Sequence, residues 1–258
     1  MPIYRIDCTR MMRKYSKRVV DTIIVGNLAV CIEVPKFEKR EDEKFGMFKG
    51  KRILFDTHDN GSKDGFARFK AHKTPRIKVN PSYKMIERLN IVMSIPFIVD
   101  HRFLHPEIER PNKIVCAMRL DNMPEARTKV LDKIKAFNPD SKWLDFDEHA
   151  ARLCKTLINI VPTGTGDSSR SHIDTLAAGA LLMAEESIAD IKVLPFEDLK
   201  DGENFVSYNL DNVCDKLNWL LERPEKISEI RMNGLETFID GYDIEKSAKI
   251  LREQIYAN

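Results

Sequence analysis

The sequence has few cysteines, and they are not arranged as a covalent or metal-binding framework. Its 258 residues include five cysteines, an odd number at wide spacing, with no Cys-x-x-Cys pair. A disulfide scaffold and a zinc knuckle are therefore not expected. The same cysteine usage predicts a reducing compartment, the cytoplasm.

Long apolar runs are lacking as well. The longest mostly apolar stretches, residues 22–34 and 176–184, are shorter than the roughly 20 residues that a membrane helix requires. The first 18 residues carry basic side chains but not the apolar core of a secretory signal. The sequence therefore predicts neither a transmembrane segment nor a secretory leader.

Net charge is also small, at +2, but it is unevenly distributed. Residues 1–80 contain 19 Lys and Arg against 10 Asp and Glu, whereas residues 185–258 contain 9 against 17. A basic first half with interleaved Tyr and Phe could follow phosphates and stack on bases. Solvated faces of ordinary helices would give the same charges, and the composition leaves both interpretations open.

Hydrophobic patterning predicts alternating strands and helices, which is typical of an α/β protein with a mostly parallel sheet. The predicted strands are residues 22–25, 29–34, 52–55, 76–79, 91–99, 113–118, 142–146, 156–161, 180–184 and 204–208. The predicted helices are residues 81–89, 125–137, 148–155, 168–178, 210–221, 225–239 and 244–256. This order predicts a doubly wound fold, which binds ligands at the carboxyl ends of its strands.

A segment rich in proline and charge, residues 101–112, separates two differently patterned halves. We interpret it as a linker between a short first domain, residues 1–100, and a second domain, residues 113–258. The last predicted helix of the second domain can cross back to the first.

The segment Pro162–Gly179 reads PTGTGDSSRSHIDTLAAG. A buried strand leads into a glycine-containing loop, and the loop leads into a helix with Asp and Ser at its start. Free N–H groups and the positive end of a helix dipole bind phosphate well. Arg170 can contribute a charged fork to a diphosphate, and Asp174 can accept hydrogen bonds from a ribose. A capped core helix with a polar start is the competing explanation.

The same segment resembles a signature of GT-B glycosyltransferases, Arg-x-x-x-Glu/Asp followed five residues later by Gly-Ala or Gly-Cys. Here the match is Arg170, Asp174 and Gly179-Ala180. The group that it resembles most is the spore-maturation-type family within the group 1 glycosyltransferases. Further similar segments, in the same order, are IPFIVD (95–100), KIVCAMRLDNMPEAR (113–127), DGEN with VSY (201–208) and PEKI (224–227).

The resemblance covers about residues 91–240 and implies a GT-B-like fold of two Rossmann-like domains, the first one short. It implies a nucleoside-diphosphate sugar as co-substrate, no other cofactor and no metal site. The donor-binding residues that it implies are Arg119, Arg127, Gly164, Gly166, Ser168, Arg170 and Asp174. Arginines and a helix amino end would stabilise the diphosphate leaving group without a metal ion. An Asp-Phe-Asp at 145–147 lies at the wrong place for a metal motif, and we interpret it as a loop.

The sequence departs from the family pattern at one informative position. Many retaining members carry two glutamates eight residues apart, the second at the position of Asp174. Here the earlier position is Gly166. The stereochemical outcome, retention or inversion, therefore stays open.

Candidate catalytic residues follow the predicted strand at 52–55. A hydroxyl acceptor in an inverting reaction needs a general base, and Asp56, His58 and Asp59 are of the right types. A polar turn would also favour these residues.

The resulting hypothesis is a glycosyltransferase that moves a hexose or pentose to a glycan, lipid, protein or nucleic-acid hydroxyl. One alternative is a non-catalytic protein that associates with nucleic acid through its basic first half. A third possibility is a nucleotide-dependent enzyme of another doubly wound class, such as an epimerase.

Overall fold

A computed structural model describes residues 54–56, 76–79, 83, 86, 91–95, 99–104, 106, 109–117, 124–162, 169–243, 246–247 and 249–250. These residues fall into two compact units. Unit 1 takes those that lie within 1–58, 62–98 and 243–258, and unit 2 takes those within 99–242. Among the described residues, no helix is both long and apolar enough to cross a membrane.

Unit 1 contains a parallel sheet whose described strands are β1 (Leu54–Asp56), β2 (Arg76–Val79) and β3 (Ile91–Ile95). They lie side by side in chain order, β1-β2-β3. Leu54 pairs with Arg76, and Ile77 pairs with Met93 across a register shift in β2. Three strands predicted from the sequence are thereby confirmed, the third over a shorter range.

Unit 2 holds a second parallel sheet and five described α-helices. The strands are β4 (Asn112–Val115), β5 (Thr156–Val161), β6 (Leu181–Glu185) and β7 (Val206–Tyr208). The helices are α1 (Pro124–Ile134), α2 (Phe146–Cys154), α3 (Arg170–Ala177), α4 (Val213–Leu221) and α5 (Pro224–Gly241). Short 3₁₀ helices lie at His101–Phe103, Lys135–Phe137 and Glu186–Asp190.

Helices cover both faces of the unit 2 sheet, whose strand order is β4-β5-β6-β7. Successive side chains of a strand point to opposite faces. Ile158 and Ile160 of β5 join a buried cluster with Val130 of α1 and Leu217 of α4. Asn159, between them, donates from Nδ2 to the Thr175 Oγ1 of α3 over 2.7 Å. The predicted doubly wound α/β architecture is therefore confirmed.

The strand predicted at residues 142–146 is wrong. Residues 141–145 are irregular, and only Asp140 pairs with β4, through one bridge to Val115. The Asp140 side chain accepts the Lys142 N–H over 3.1 Å, and the Asp145 side chain accepts the Glu148 N–H over 2.9 Å. These local bonds favour a turn and a helix start over a strand. Our interpretation of 145–147 as a loop is also wrong, because α2 begins at Phe146.

The carboxyl end of α3 is closed by a glycine and a buried arginine. Gly179 has a φ of 65°, a left-handed conformation that favours glycine after a helix. Arg110 donates from Nη1 to the Thr156 carbonyl over 2.7 Å and from Nη2 to the Ala178 carbonyl over 2.9 Å. The start of β5 and the end of α3 are thereby joined through one guanidinium. The predicted stop of this helix at Gly179 is confirmed.

Candidate active site

The candidate site lies where β5 leads into α3, at the carboxyl edge of the unit 2 sheet. In doubly wound proteins, ligands bind outside the carboxyl ends of the parallel strands. Gly164, Gly166 and Ser168, which lie between β5 and α3 in the sequence, are outside the described residues, as is Arg119. The described part of the site begins at Ser169, the residue that precedes the first turn of α3.

A histidine fixes the first turn of α3. The Ser169 N–H donates to the Nδ1 of His172 over 3.0 Å, and the His172 N–H donates to the Ser169 carbonyl over 3.2 Å. Burial lowers the pKa of His172 to about 4, so the ring is neutral at neutral pH and its Nδ1 is an acceptor. The start of the helix is thereby held in one conformation.

Arg170 and Asp174 form an ion pair across this first turn. Arg170 Nε donates to Asp174 Oδ2 over 3.0 Å, an i to i+4 pair on one face of the helix. The Asp174 side chain is only 6% exposed and that of Arg170 is 21% exposed. The pair brings a carboxylate and a guanidinium together one turn into α3.

Only one of the two carboxylate oxygens of Asp174 accepts a hydrogen bond among the described residues. In the part of the chain that the structure describes, its second oxygen, Oδ1, is buried and has no hydrogen-bond partner. Burial raises the pKa of Asp174 to about 7, the Arg170 charge and hydrogen bond act against that rise, and the nearby Asp100 carboxylate adds to it. Leaving a buried acceptor unpaired costs about 1–3 kcal/mol. A ligand hydroxyl would supply the missing donor.

Two aromatic rings lie beside the Arg170 guanidinium. Its Cζ is 4.8 Å from the centroid of the Phe146 ring and 5.9 Å from that of the Phe103 ring. Phe103 is fully buried, Phe146 is 38% exposed, and the two rings meet edge to face at 5.5 Å. Cations within about 6 Å of a ring face are attracted by its quadrupole.

A second guanidinium lies over the same Phe146 ring. The Cζ of Arg102 is 4.5 Å from its centroid. Arg102 donates from Nε and Nη2 to the two carboxylate oxygens of Asp100, over 2.8 and 2.9 Å, and also pairs with Asp147. The Arg102 hydrogen bonds hold the pKa of Asp100 well below its usual range.

His149 adds a neutral ring to the cluster. Its Nδ1 lies 3.1 Å from Nη2 of Arg152, and its ring meets Phe103 edge to face at 6.2 Å. Burial and the charges of Arg152 and Arg170 lower the pKa of His149 to about 4. An imidazole that accepts at Nδ1 carries its proton on Nε2.

Sequence reasoning placed Arg170 and Asp174 together, and the structure places them together as well. It missed Arg102 and Phe103 because residues 101–112 were assigned to a linker, and Phe146 because residues 142–146 were assigned to a strand. His149 was placed in a predicted helix, 148–155, but not in the site. The pattern Asp145-x-x-Glu148 is a helix-start signal that could have corrected the second assignment. No local pattern indicates that Phe103 contacts Arg170, 67 positions further along the chain.

The other predicted site residues are placed only in part. Arg127 is half-buried in the first turns of α1, the helix that follows β4. Asp56 ends β1 in unit 1, at the carboxyl end of a parallel strand. His58 and Asp59 lie outside the described residues. No group of three or more His, Cys, Asp or Glu in the described ranges is placed to hold a metal ion.

No protein-family model matches the sequence, and no curated protein matches it either. Solved structures do match. A glycosyltransferase from Rickettsia africae ESF-5 is 10% identical with a TM-score of 0.59, over 100% of this chain and 85% of that one. The sucrose-phosphate synthase of Thermosynechococcus elongatus is 11% identical with a TM-score of 0.58, over 84% of this chain and 71% of its own.

A third match is an α-glucosyltransferase in complex with UDP-glucose and DNA containing an abasic site. It is 9% identical with a TM-score of 0.57, over 94% of this chain and 84% of that one. At sequence identities this low, the matches are evidence for a shared fold alone. Together with the two parallel sheets, these likenesses show that the chain has a GT-B-like Rossmann fold.

Proposed function

We propose that this chain is a glycosyltransferase that moves a sugar from a nucleoside-diphosphate sugar to a hydroxyl acceptor. The observation that carries the proposal is the Asp174 carboxylate, paired with Arg170 through Oδ2 and unpaired at the buried Oδ1. It lies one turn into a helix that follows a parallel strand, where such folds bind their ligands. Membership of the group 1 and spore-maturation-type glycosyltransferases is part of the proposal.

In the proposed donor complex, Asp174 Oδ1 accepts a hydrogen bond from a ribose hydroxyl. The guanidinium of Arg170 and the amino end of α3 face the diphosphate, because both carry positive charge. Arg119, Arg127 and the backbone of Gly164, Gly166 and Ser168 complete the proposed donor site. The chemistry expected of this set is stabilisation of a leaving diphosphate by fixed positive charge. These groups supply that charge without a metal ion or a further cofactor.

The proposed acceptor step needs a general base. In an inverting reaction, the acceptor hydroxyl gives its proton to Asp56, His58 or Asp59, and its oxygen bonds to the anomeric carbon. The bond from that carbon to the diphosphate oxygen breaks, and the nucleoside diphosphate leaves. The position of Asp56 at the carboxyl end of β1 supports this assignment.

A uridine nucleotide is the first donor to test. The α-glucosyltransferase with a similar fold was solved with UDP-glucose. That likeness is one of fold, so the base and the sugar are part of the proposal.

A nucleic-acid acceptor, or a nucleic-acid-binding role without transfer, is the second candidate. Two observations favour it: the excess of Lys and Arg in residues 1–80, and the DNA in the complex of the α-glucosyltransferase neighbour. Binding through a basic surface falls steeply with salt, because phosphate neutralisation releases counterions. It would also survive the loss of Asp174. Nucleotide binding through the donor site would not.

The test is thermal unfolding of the protein with UDP, GDP, ADP and their sugar conjugates. A ligand that binds only the folded protein adds about 2.7 kcal/mol at 100 times its Kd. We expect one nucleotide to stabilise the wild type and Asp132→Ala, which removes an exposed acid on α1, but not Asp174→Ala. If no nucleotide stabilises the wild type, or if it stabilises Asp174→Ala equally, the proposed donor site is wrong.

A further inference from the structure

The first turn of α3 differs in charge from the first turns of the other helices. It consists of Arg170, Ser171 and His172 and contains no acidic side chain. Helices α1, α2, α4 and α5 each have acidic residues in the first turn, namely Glu125, Asp147 with Glu148, Asp215 and Glu225. Acidic side chains stabilise a helix amino end, because they offset the partial positive charge of its N–H groups. This stabilisation is missing from the first turn of α3.

His172 gives the start of α3 an uncharged hydrogen-bond acceptor instead. In a capping box, a Glu or Gln at the third helical position accepts the N–H of the residue before the helix. Here the third residue is His172, and its Nδ1 accepts the Ser169 N–H over 3.0 Å. The His172 side chain is buried, and burial lowers its pKa to about 4, so the ring is neutral at neutral pH. The backbone donor is therefore paired without a negative charge.

The contacts of Nδ1 also indicate which ring nitrogen carries the proton. Nδ1 lies 3.1 Å from the Ser169 carbonyl oxygen, to which a protonated Nδ1 would donate. That carbonyl already accepts the His172 N–H over 3.2 Å, and the Ser169 N–H would then lose its acceptor. An unpaired backbone N–H costs free energy. The geometry therefore favours the tautomer with its proton on Nε2.

A second observation places a ligand at this end of the helix. Asp174 lies one turn further along α3, and its buried Oδ1 has no hydrogen-bond partner among the described residues. Buried acceptors are nearly always paired, so the unpaired oxygen indicates a ligand that donates to it. The uncharged cap at His172 indicates that this ligand also has an anionic part, which the positive amino end of α3 attracts.

We propose that His172 is a positioning residue, an uncharged cap that fixes the Ser169 peptide and leaves the positive amino end of α3 to an anionic ligand. The identity of that ligand, a nucleoside diphosphate, rests on the proposed function, whereas the cap and the anion site do not. A carboxylate in place of the imidazole would hold the same N–H but would repel the anion.

Four variants separate the acceptor from its charge. His172→Gln keeps a neutral acceptor, His172→Glu keeps an acceptor of the same shape and adds one negative charge, and His172→Leu removes the acceptor but keeps apolar bulk. Asn212→Asp is the matched control, because the Asn212 side chain accepts the Asn209 N–H before α4 over 2.8 Å. It adds the same charge to the same kind of hydrogen bond at another helix start.

The cap is tested by NMR on the full chain without a ligand. Near neutral pH, we expect His172 of the wild type to carry its proton on Nε2 and not on Nδ1. The Ser169 amide should exchange with solvent about 3–10-fold faster in His172→Leu than in the wild type, and at the wild-type rate in His172→Gln. A proton on Nδ1, or unchanged exchange in a folded His172→Leu, overturns the cap.

The anion site is tested by calorimetric titration with inorganic pyrophosphate and with UDP at about pH 8. The carboxyl-carbon NMR shift of the substituted side chain in His172→Glu confirms that it is ionised. We expect the wild type to bind both probes, and His172→Gln to bind them within about threefold of the wild type. His172→Glu should bind both at least about tenfold more weakly, and Asn212→Asp should bind as the wild type does.

The outcomes distinguish this proposal from the proposed function. If His172→Gln and ionised His172→Glu bind pyrophosphate and UDP equally, the uncharged cap is overturned while the donor site stands. An equal loss of affinity in Asn212→Asp also overturns it, because the effect is then one of overall charge. A wild type that binds pyrophosphate but no nucleotide supports the anion site and overturns the proposed donor site instead.

Discussion

The two ends of helix α3 differ in whether their buried polar groups are hydrogen-bonded. At the carboxyl end, Arg110 pairs the Ala178 carbonyl and Arg231 donates to the Gly179 carbonyl over 3.2 Å. One turn from the amino end, Asp174 is buried too, yet its Oδ1 has no hydrogen-bond partner among the described residues. Buried polar groups in this helix are therefore not all hydrogen-bonded within the described part of the protein.

This difference in hydrogen bonding distinguishes the carboxyl end of α3, which has a structural role, from its amino end, which is the candidate binding site. Buried polar groups are nearly always hydrogen-bonded, so a native exception needs its own explanation. At the carboxyl end the buried carbonyls are hydrogen-bonded, because Arg110 donates to one at the start of β5 and to one at the end of α3. The amino end departs from the general rule where the GT-B resemblance implies a nucleotide. We therefore expect the carboxyl end to contribute stability and the amino end to reduce it.

The largest expected effect is at the carboxyl end. Arg110→Met removes two hydrogen bonds from a charged donor to buried carbonyls, each worth about 1.5–3 kcal/mol. We expect the free energy of unfolding in urea to fall by about 3–5 kcal/mol. Lys129→Met, which removes an exposed ion pair with Glu125, should leave it unchanged. A loss below about 1 kcal/mol for Arg110→Met would contradict the structural role of this end.

The next effect is at the amino end and depends on pH. The pKa of Asp174 in the folded protein is raised to about 7, above its value of 3.8 in the unfolded chain. Between these values the folded protein keeps a proton that the unfolded chain releases. This group therefore lowers wild-type stability as pH rises from about 4 to 7. Asp174→Asn removes that loss.

The measurement is the free energy of unfolding of both proteins from pH 4 to 8. The advantage of Asp174→Asn should grow by at most about 1.4 kcal/mol per pH unit up to pH 7 and then stay constant. His149 and His172, whose pKa values are lowered to about 4, change stability in the opposite direction. They are present in both proteins and cancel in the difference. Parallel curves would show that Asp174 is not destabilised by burial.

The smallest effect compares two glycines in the left-handed region. At Gly202, with a φ of 77°, an added Cβ would meet nothing within 4 Å, so Gly202→Ala should cost only the backbone strain, about 1 kcal/mol. At Gly179 the Cβ would lie 3.0 Å from Arg110 Nη2 and 3.1 Å from Pro106 Cβ. Gly179→Ala should therefore cost about 1 kcal/mol more. If both variants lose the same stability in thermal unfolding, the Arg110 side chain moves away from the added Cβ at no cost in free energy.

Much of unit 2 could be predicted from the sequence, because its signals are local. The run TLINIV at Thr156–Val161 is short, apolar and β-branched, and it forms β5 over that range. Ser at the start and Gly at the end bounded α3 to within two residues. The strand predicted at residues 142–146 is wrong, because the Asp140 side chain accepts a hydrogen bond in a turn and the Asp145 side chain accepts one at the start of α2.

The candidate site could be predicted only where it is local. Arg170 and Asp174 are four residues apart on one helix, so spacing brings them together. Arg102, Phe103 and Phe146 reach Arg170 through the packing of three separate elements, which spacing does not encode. The carboxylate with its unpaired oxygen is likewise a property of the folded chain, since the sequence shows an aspartate but not its burial.

The central claim, a nucleotide site at the amino end of α3, is tested most directly by a crystal structure of the protein with the nucleoside diphosphate that stabilises it. The account predicts the diphosphate at the start of α3 beside Arg170, with a ribose hydroxyl donating to Asp174 Oδ1 within about 3 Å. A nucleotide bound elsewhere, or one that leaves Asp174 Oδ1 unpaired, would contradict it.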